Sequence, residues 1–355
     1  MTDRHFIEHI EIRNFKCFDF LKADNLKLVN LLGGDNNVGK SAFLEALEIV
    51  AKTENPRSLM KVIKDIIKRR QIYAYDIQFV EFDIFTHGQD DLQFKTNAVS
   101  ITLKIRPGDK LSLSDDSFAD TQDSVTDENQ LIEFVTNDIS YKISYHQFSD
   151  AITNRNSRFA IRYTRSEENT DFIPSTSLDE RKLSEIYGNI VDMGMMGYVN
   201  DFLGEFDPRI ESLIIRPTER YGIFKIKLRD RDMPVLLSSM GGGLNRYIAI
   251  VCAIWKTKNG QLFIDEVENG IHYAKYEKLW EIIFKTSKNA NCQVFATTHS
   301  KECIEAFSRV SEKYDHVHMK YVNFSRTVDN PEKIVATVLD SVGLENHFQL
   351  GLDVR

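Results

Sequence analysis

An α/β fold built around a parallel sheet is what this 355-residue sequence predicts, and three observations predict it. Leu26–Leu32, Leu262–Ile264 and Cys292–Thr297 are short, mostly apolar runs, the pattern of strands buried on both faces. From Pro234 onward such strands alternate with helical periodicities, the order that a parallel sheet requires. Between the two ends, residues alternate apolar and polar with a period of two, which marks half-buried antiparallel strands and a second, smaller sheet.

The elements follow in order. Ile7–Phe15 and Phe18–Ala23 alternate as short strands, and Leu26–Leu32 is the first buried one. After a Gly-rich turn, Phe43, Leu44, Leu47 and Val50 recur at helical spacing. Pro56 is expected to end that helix, with a second helical stretch running to about Gln71. Val99, Ile101, Leu103 and Ile105 then alternate with Ser100, Thr102, Lys104 and Arg106, and Pro107-Gly108-Asp109 supplies a turn. Ile139, Tyr141, Ile143 and Tyr145 repeat the period. Ser114–Asn129, rich in Asp, Ser and Thr, reads as a solvated acidic loop. Leu183–Leu203 is helical in pattern, and Leu213–Ile215 and Tyr221–Leu228 are strands. The expected organisation is one α/β domain made from 1–72 and 234–355, with 73–233 inserted as an antiparallel β subdomain and a helical lobe.

Composition narrows the function classes. With 45 Lys and Arg against 53 Asp and Glu, the net charge is −8, so nucleic-acid contact would need a local basic patch. Lys61, Lys64, Lys68, Arg69 and Arg70 along one helix are the candidate, and a solvated face is the simpler reading. Four cysteines without C-x-x-C spacing, two of them (Cys252 and Cys292) inside apolar runs, argue against a disulfide framework. His316 and His318 have no Cys or Asp at ligand spacing. Charged residues interrupt Met1–Phe6 before any signal-like apolar run, and no stretch reaches the roughly 18–20 apolar residues of a membrane span. A cytoplasmic protein with no membrane association is expected.

Gly34-Asp35-Asn36-Asn37-Val38-Gly39-Lys40-Ser41 fits the phosphate-binding pattern G-x-x-x-x-G-K-[ST] between a strand and a helix. The glycines let backbone N–H groups close around phosphate oxygens, and the helix that begins here, with Ala42 in its first turn, adds its positive end. Lys40 is placed to reach the β- and γ-phosphates of ATP, and the Ser41 hydroxyl to ligate Mg²⁺. Leu262-Phe263-Ile264-Asp265-Glu266 ends an apolar strand in two carboxylates. A cation explains that pair better than packing does. Asp265 suits a direct or water-mediated Mg²⁺ contact and Glu266 a general base acting on the attacking water.

The next apolar strand ends in Thr298-His299-Ser300, where His299 can hydrogen-bond a γ-phosphate. Ser238-Ser239-Met240-Gly241-Gly242-Gly243 opens a further helix and is a second anion site. One complete phosphate cradle is already present. The economical geometry is therefore a homodimer, or a higher homo-oligomer, in which Ser239, Gly241 and Gly243 of each copy cap the γ-phosphate held by the other. A flexible hinge is the alternative.

Together these motifs resemble the ABC-class ATPases related to SMC, RecF and OLD proteins, in particular small bacterial AAA-type ATP-binding proteins. The resemblance covers roughly the first 50 residues and 234–310. It implies a P-loop NTPase of ABC/SMC-head type that hydrolyses ATP. Ile10–Phe18 resembles the family's first strand, which implies a nucleotide contact from Arg13 or Lys16. Ile264–His272 is similar to the extended Walker B motif and D-loop, which implies that Glu268, Asn269 and His272 sense the partner copy. Ser239–Arg246 looks like a variant signature with Met240 where many relatives carry Gly, and Ala296–Ser300 matches the H-loop. Gln78 and Gln89 are the candidates for the family's Q-loop glutamine. No long heptad run supplies an SMC arm, and few residues follow His299, so any nuclease is expected on a separate polypeptide. The implied role is the sensor ATPase of an anti-phage defence system that controls a separate toxin or nuclease. A nucleotide-gated scaffold and RecF-like DNA repair are the competing readings.

Overall fold

The computed structural model describes residues 6–70, 89, 91–107, 130–145, 148, 169–176, 180–217, 222–314 and 318–349. The Ser114–Asn129 segment, Gln78 and His316 lie outside them. In chain order come β1 (Ile10–Phe15), β2 (Phe18–Ala23), β3 (Val29–Gly34), α1 (Lys40–Lys52) and α2 (Pro56–Arg70). They are followed by β4 (Asp91–Thr96), β5 (Ser100–Pro107), β6 (Gln130–Thr136), β7 (Ile139–Ser144) and β8 (Thr170–Ile173). Helices α3 (Glu180–Asp192) and α4 (Met196–Phe206) precede β9 (Ile210–Pro217), β10 (Gly222–Leu228) and β11 (Val235–Leu236). Then come α5 (Gly242–Lys256), β12 (Gln261–Ile264), α6 (Tyr276–Ala290), β13 (Gln293–Thr297) and α7 (Lys301–Tyr314). β14 (Met319–Arg326), β15 (Ile334–Leu339) and α8 (Ser341–Gln349) follow. Two compact units result: residues 1–9, 23–44 and 165–355 in one, 10–22 and 45–164 in the other.

The first unit holds a sheet of order β15-β14-β3-β13-β12-β8. From β14 to β8 every pairing is parallel, and only β15 runs antiparallel at the edge. Every residue of β3, β12 and β13 is buried, which is why these strands read as unbroken apolar runs. The register sets Leu32 beside Thr297 and Ile264 beside Ala296, so the loops that leave β3, β12 and β13 emerge side by side. Helix α5 buries Tyr247, Ile248, Val251 and Trp255 among its core residues, and α6 buries Leu279, Trp280 and Ile283. Antiparallel β11-β10-β9 and helices α3 and α4 belong to the same unit, with Ile186, Leu203 and Ile226 in its core. The helical run 183–203 is two helices rather than one, separated at Gly194, whose φ is +69°.

The second unit is built on an antiparallel sheet of order β2-β1-β4-β5-β6-β7. Its inward residues include Ile12, Phe15, Phe94, Leu103 and Phe134, with Phe15 and Phe94 meeting edge to face at 5.1 Å. β1 and β2 pair here and not with β3. Pro56 does not end α1, which stops at Lys52. It occupies the first position of α2, where its missing N–H is one that no helix bond needs. Asn55 Oδ1 caps that helix, accepting from the amides of Arg57 and Ser58 at 3.0 and 3.1 Å.

The basic stripe on α2 is partly an internal structure. Arg69 pairs with Glu48, and Arg70 with Glu45 at 2.7 Å, so neither guanidinium belongs to a purely solvated face. Among the described residues no helix is long and apolar enough to cross a membrane.

Candidate functional site

The loop after β3 is shaped by close packing. A Cβ on Gly34, whose φ is +127°, would lie 2.1 Å from the Phe324 carbonyl oxygen of β14, so only glycine fits there. Asn37 (φ 62°) and Gly39 (φ 84°) then bend the chain back to the N-terminus of α1. Arg326 of β14 donates to the Asn37 carbonyl at 3.0 Å and braces the bend. Asp35, Asn36, Asn37 and Ser41 are exposed, while Val38 and Ala42 are buried beneath them. Lys40 folds over the loop, donating to the carbonyls of Gly34 and Asp35 at 2.7 Å each. Burial pulls the Lys40 pKa down, against the opposing charges of Asp35, Asp265, Glu268 and Glu266.

Asp265 and Glu266 leave β12 next to this loop. Thr297 at the end of β13 ties them together: its hydroxyl donates to Asp265 Oδ1 at 2.7 Å and accepts from the Glu266 amide at 2.8 Å. The Ser41 hydroxyl is 3.4 Å from the same Asp265 oxygen. Adjacent oxygens of an octahedral magnesium ion, with bonds of about 2.1 Å, stand roughly 3 Å apart. Ser41 and Asp265 therefore fit two positions of one such ion. Among the described residues no cluster of three or more His, Cys, Asp or Glu side chains is assembled to hold a metal. A site completed by phosphate oxygens and water does not need one.

Glu266 has φ of +50°, an uncommon conformation for a side-chain-bearing residue. Arg246 of α5 helps to hold it. Its guanidinium donates to the backbone carbonyls of Glu266 at 3.0 Å, Asp265 at 2.5 Å and Pro174. Burial pushes the Arg246 pKa down to about 10. His299 Nε2 stands 3.9 Å from Glu266 Oε1. The His299 amide donates to Glu268 Oε1 at 2.9 Å. Asn269 and His272 are exposed; Asn269 donates to the Ser175 carbonyl at 2.6 Å and His272 caps the Ala274 amide at 3.3 Å.

The Ser-Gly segment opens α5. Ser239 lies on an exposed 3-10 turn, and Gly241 (φ 91°) and Gly242 face open space. Gly243 has a different task. A Cβ there would come within 2.5 Å of the Gly270 carbonyl oxygen, so it lets α5 pack against the segment that follows Glu266.

Lys40, Ser41, Asp265, Glu266 and His299 thus share one edge of the parallel sheet. Arg13 and Lys16 belong to the antiparallel unit. There Arg13 sits 4.4 Å over the Phe20 ring and Lys16 pairs with Glu45. Gln89 is exposed. Sequence reasoning passed over Arg246 and Thr297. The signals available were an arginine in an otherwise apolar helix face and a threonine closing a buried strand.

Residues 29–305 match the family model described as "AAA domain, putative AbiEii toxin, Type IV TA system". An "ATP/GTP phosphatase" of Helicobacter pylori is 25% identical over 343 residues, spanning 88% of this chain and 90% of that protein. An SMC head bound to the C-terminal winged-helix domain of ScpA superposes with a TM-score of 0.52 at 12% identity, covering 97% of this chain and 99% of that one. An SMC head with an extended coiled coil, bound to the ScpA C-terminal domain from Pyrococcus furiosus, gives 0.51 at 12% identity over 97% and 98%. At such identity these structures speak for the fold alone.

Proposed function

Because the chain belongs to this AAA-domain family, is an ATPase and has the fold of SMC heads, we propose that it acts as a magnesium-dependent dimer closed by ATP. The observation that carries the reading is the convergence of Lys40, Ser41, Asp265, Glu266 and His299 where β3, β12 and β13 end.

Each residue has a defined task. The amides of Gly34–Ser41 and the Lys40 ammonium take up phosphate charge, Lys40 exchanging its carbonyl partners for phosphate oxygens. Magnesium, held through Ser41 and Asp265, neutralises phosphate charge when bound. Glu266 orients the attacking water and accepts its proton, and His299 beside it contacts the γ-phosphate. Ser239 and Gly241 cap that phosphate from the second copy, and their exposure supports this arrangement, while Gly243 packs inward against Gly270. Turnover is then slow until closure assembles both halves.

The family's own description includes a toxin of a toxin–antitoxin system. We read the chain's role as anti-phage defence, with ATP turnover controlling a separate toxin or nuclease. DNA repair is the weaker reading, since Arg69 and Arg70 are committed to Glu48 and Glu45.

Light scattering of Glu266→Gln with ATP and magnesium tests the proposal. A stable dimer is expected, and adding Ser239→Arg should return it to a monomer that still binds ATP. A Glu266→Gln protein that binds ATP and stays monomeric would rule out closure by ATP. If protection against phage survives Glu266→Gln, hydrolysis is incidental and the scaffold reading holds.

A further inference from the structure

The two loops that carry the reacting side chains are cross-linked by few bonds, and one of them has no assigned purpose. Thr298 is the last residue after β13 still tied to the sheet, its amide donating to the Leu32 carbonyl at 3.1 Å. Ser300 is fixed from the other side. Its amide donates to Thr298 Oγ1 at 3.1 Å, and its hydroxyl caps the Cys303 amide of α7 at 3.1 Å. His299 lies between these anchors, and its amide donates to a side chain, the Glu268 carboxylate, at 2.9 Å.

Glu268 itself is firmly placed. Its carbonyl accepts from the Ile271 amide at 2.9 Å, and Val267 before it donates to the Thr297 carbonyl at 3.0 Å. Only one of its carboxylate oxygens is used. The other, Oε2, is buried and has no hydrogen-bond partner among the described residues. A buried carboxylate oxygen without a donor is costly, so packing gives no reason to keep an acid here. Leaving the acid in place makes sense if the oxygen that is bonded does something a hydrocarbon could not.

We infer that Glu268 is a positioning residue for the ATPase reaction: its carboxylate takes the His299 amide and thereby sets the imidazole beside Glu266. The assignment rests on the roles proposed above for His299 and Glu266. It is a different role from the partner sensing that the family resemblance implies for this segment. A charge-assisted bond to a backbone N–H is stronger than a neutral one and fixes direction as well as distance. Displacing a group near the reacting atoms by about 1 Å can cost on the order of a hundredfold in rate. Without the Glu268 acceptor, the His299 backbone is free to turn between Thr298 and Ser300, and the 3.9 Å spacing to Glu266 is lost.

The experiment measures kcat and ATP affinity separately for the full-length chain with Glu268→Ala, Glu268→Asp and Glu268→Gln, alone and combined with His299→Ala. Glu268→Ala and Glu268→Asp, which removes one methylene of reach, should lower kcat about a hundredfold and leave the ATP dissociation constant within about twofold. Glu268→Gln keeps an acceptor oxygen at full reach and should recover most of the rate. Glu268→Ala should slow His299→Ala no further, because the two act through one group.

Four results would overturn the assignment: Glu268→Asp at the wild-type rate; Glu268→Gln as slow as Glu268→Asp; a matching loss of ATP affinity; or additive losses in the double variant. Glu268→Asp preserves the charge and most of the volume, so it decides the matter even if Glu268→Ala does not fold. If His299→Ala turns over at the wild-type rate, the underlying reading of His299 fails and this inference with it. If His299→Ala is slow and Glu268→Asp is not, only the Glu268 assignment falls.

Discussion

Two charged clusters, one on α1 in the antiparallel unit and one at the sheet edge of the parallel unit, treat buried charge in opposite ways. In the antiparallel unit each buried carboxylate of α1 has two cations. Glu45 is met by Lys16 and Arg70, and Glu48 by Lys52 and Arg69. In the parallel unit Asp265, Glu266 and Glu268 crowd one sheet edge, while the buried Lys40 and Arg246 direct their hydrogen bonds to backbone carbonyls. The first arrangement is satisfied as it stands and supports structure. The second leaves a lysine and carboxylates waiting for partners that a nucleotide and a metal would supply. Buried cations that bond only to carbonyls separate the working site from the merely stable one better than any count of ion pairs does.

That contrast can be broken most forcefully at Glu266. Glu266→Gln removes the base and keeps its shape, so steady-state phosphate release should fall about a thousandfold while nucleotide affinity is held or increased. A rate within tenfold of wild type would show that the water is activated elsewhere.

On the other side, Glu48→Ala should destabilise the protein by about 3 kcal/mol in chemical denaturation, because two cations lose their shared buried partner. The pH dependence has a definite sign. Burial raises the Glu48 pKa, but Lys52 and Arg69 outweigh it and hold the folded value below the ordinary 4.5. Its stabilisation is therefore complete above that ordinary value and fades as pH falls through the lower, folded one. Glu48→Gln should flatten this part of the acid-unfolding profile without changing ATP turnover at neutral pH.

Arg246 lies at the boundary between the two behaviours, a buried charge that organises a functional loop. Arg246→Ala orphans the Asp265, Glu266 and Pro174 carbonyls, and about 2 kcal/mol of stability should go with it. Turnover should fall further than stability alone explains, since Glu266 loses a support for its φ of +50°. Arg246→Lys should restore stability more than rate, because an ammonium cannot reproduce the planar fork. The smallest effect is expected for Thr297→Val, which deletes one hydroxyl between Asp265 and Glu266 and should cost roughly 1 kcal/mol and about tenfold in kcat. An unchanged rate would make that link dispensable.

Motifs that are contiguous in the chain could be read before the fold was seen. The phosphate loop is one uninterrupted pattern with a strand before it and a helix after it. The alternation of β5 encodes a half-buried strand, with Ile101 and Leu103 buried, whereas the same alternation in β7 leaves Ile139 exposed at the sheet edge. What escaped depends on residues far apart in sequence. β8 is four residues, Thr170–Ile173, and becomes a strand because β12 lies parallel to it some 90 positions later, at Gln261–Ile264. The pairing of β1 with β4 is equally non-local. Pro56 is ambiguous in the sequence because the same ring that stops a helix also starts one, and the deciding feature is Asn55 with its capping oxygen. The stripe on α2 looked solvent-facing because the acids that engage Arg69 and Arg70 lie on another helix. Glu268 could not be told from its neighbours by type or spacing, since its direction is fixed only by the strand that delivers His299.

The claim at the centre of the account is that each ATP is completed by a second copy of the chain. Mixing two inactive proteins tests it directly, one with Lys40→Ala and one with Ser239→Arg. A mixed dimer pairs the intact phosphate loop of one copy with the intact Ser-Gly segment of the other. Turnover that neither protein has alone is the predicted result. A mixture as inactive as its parts, beside a wild-type protein that hydrolyses ATP, would place the whole site within one polypeptide and contradict the account.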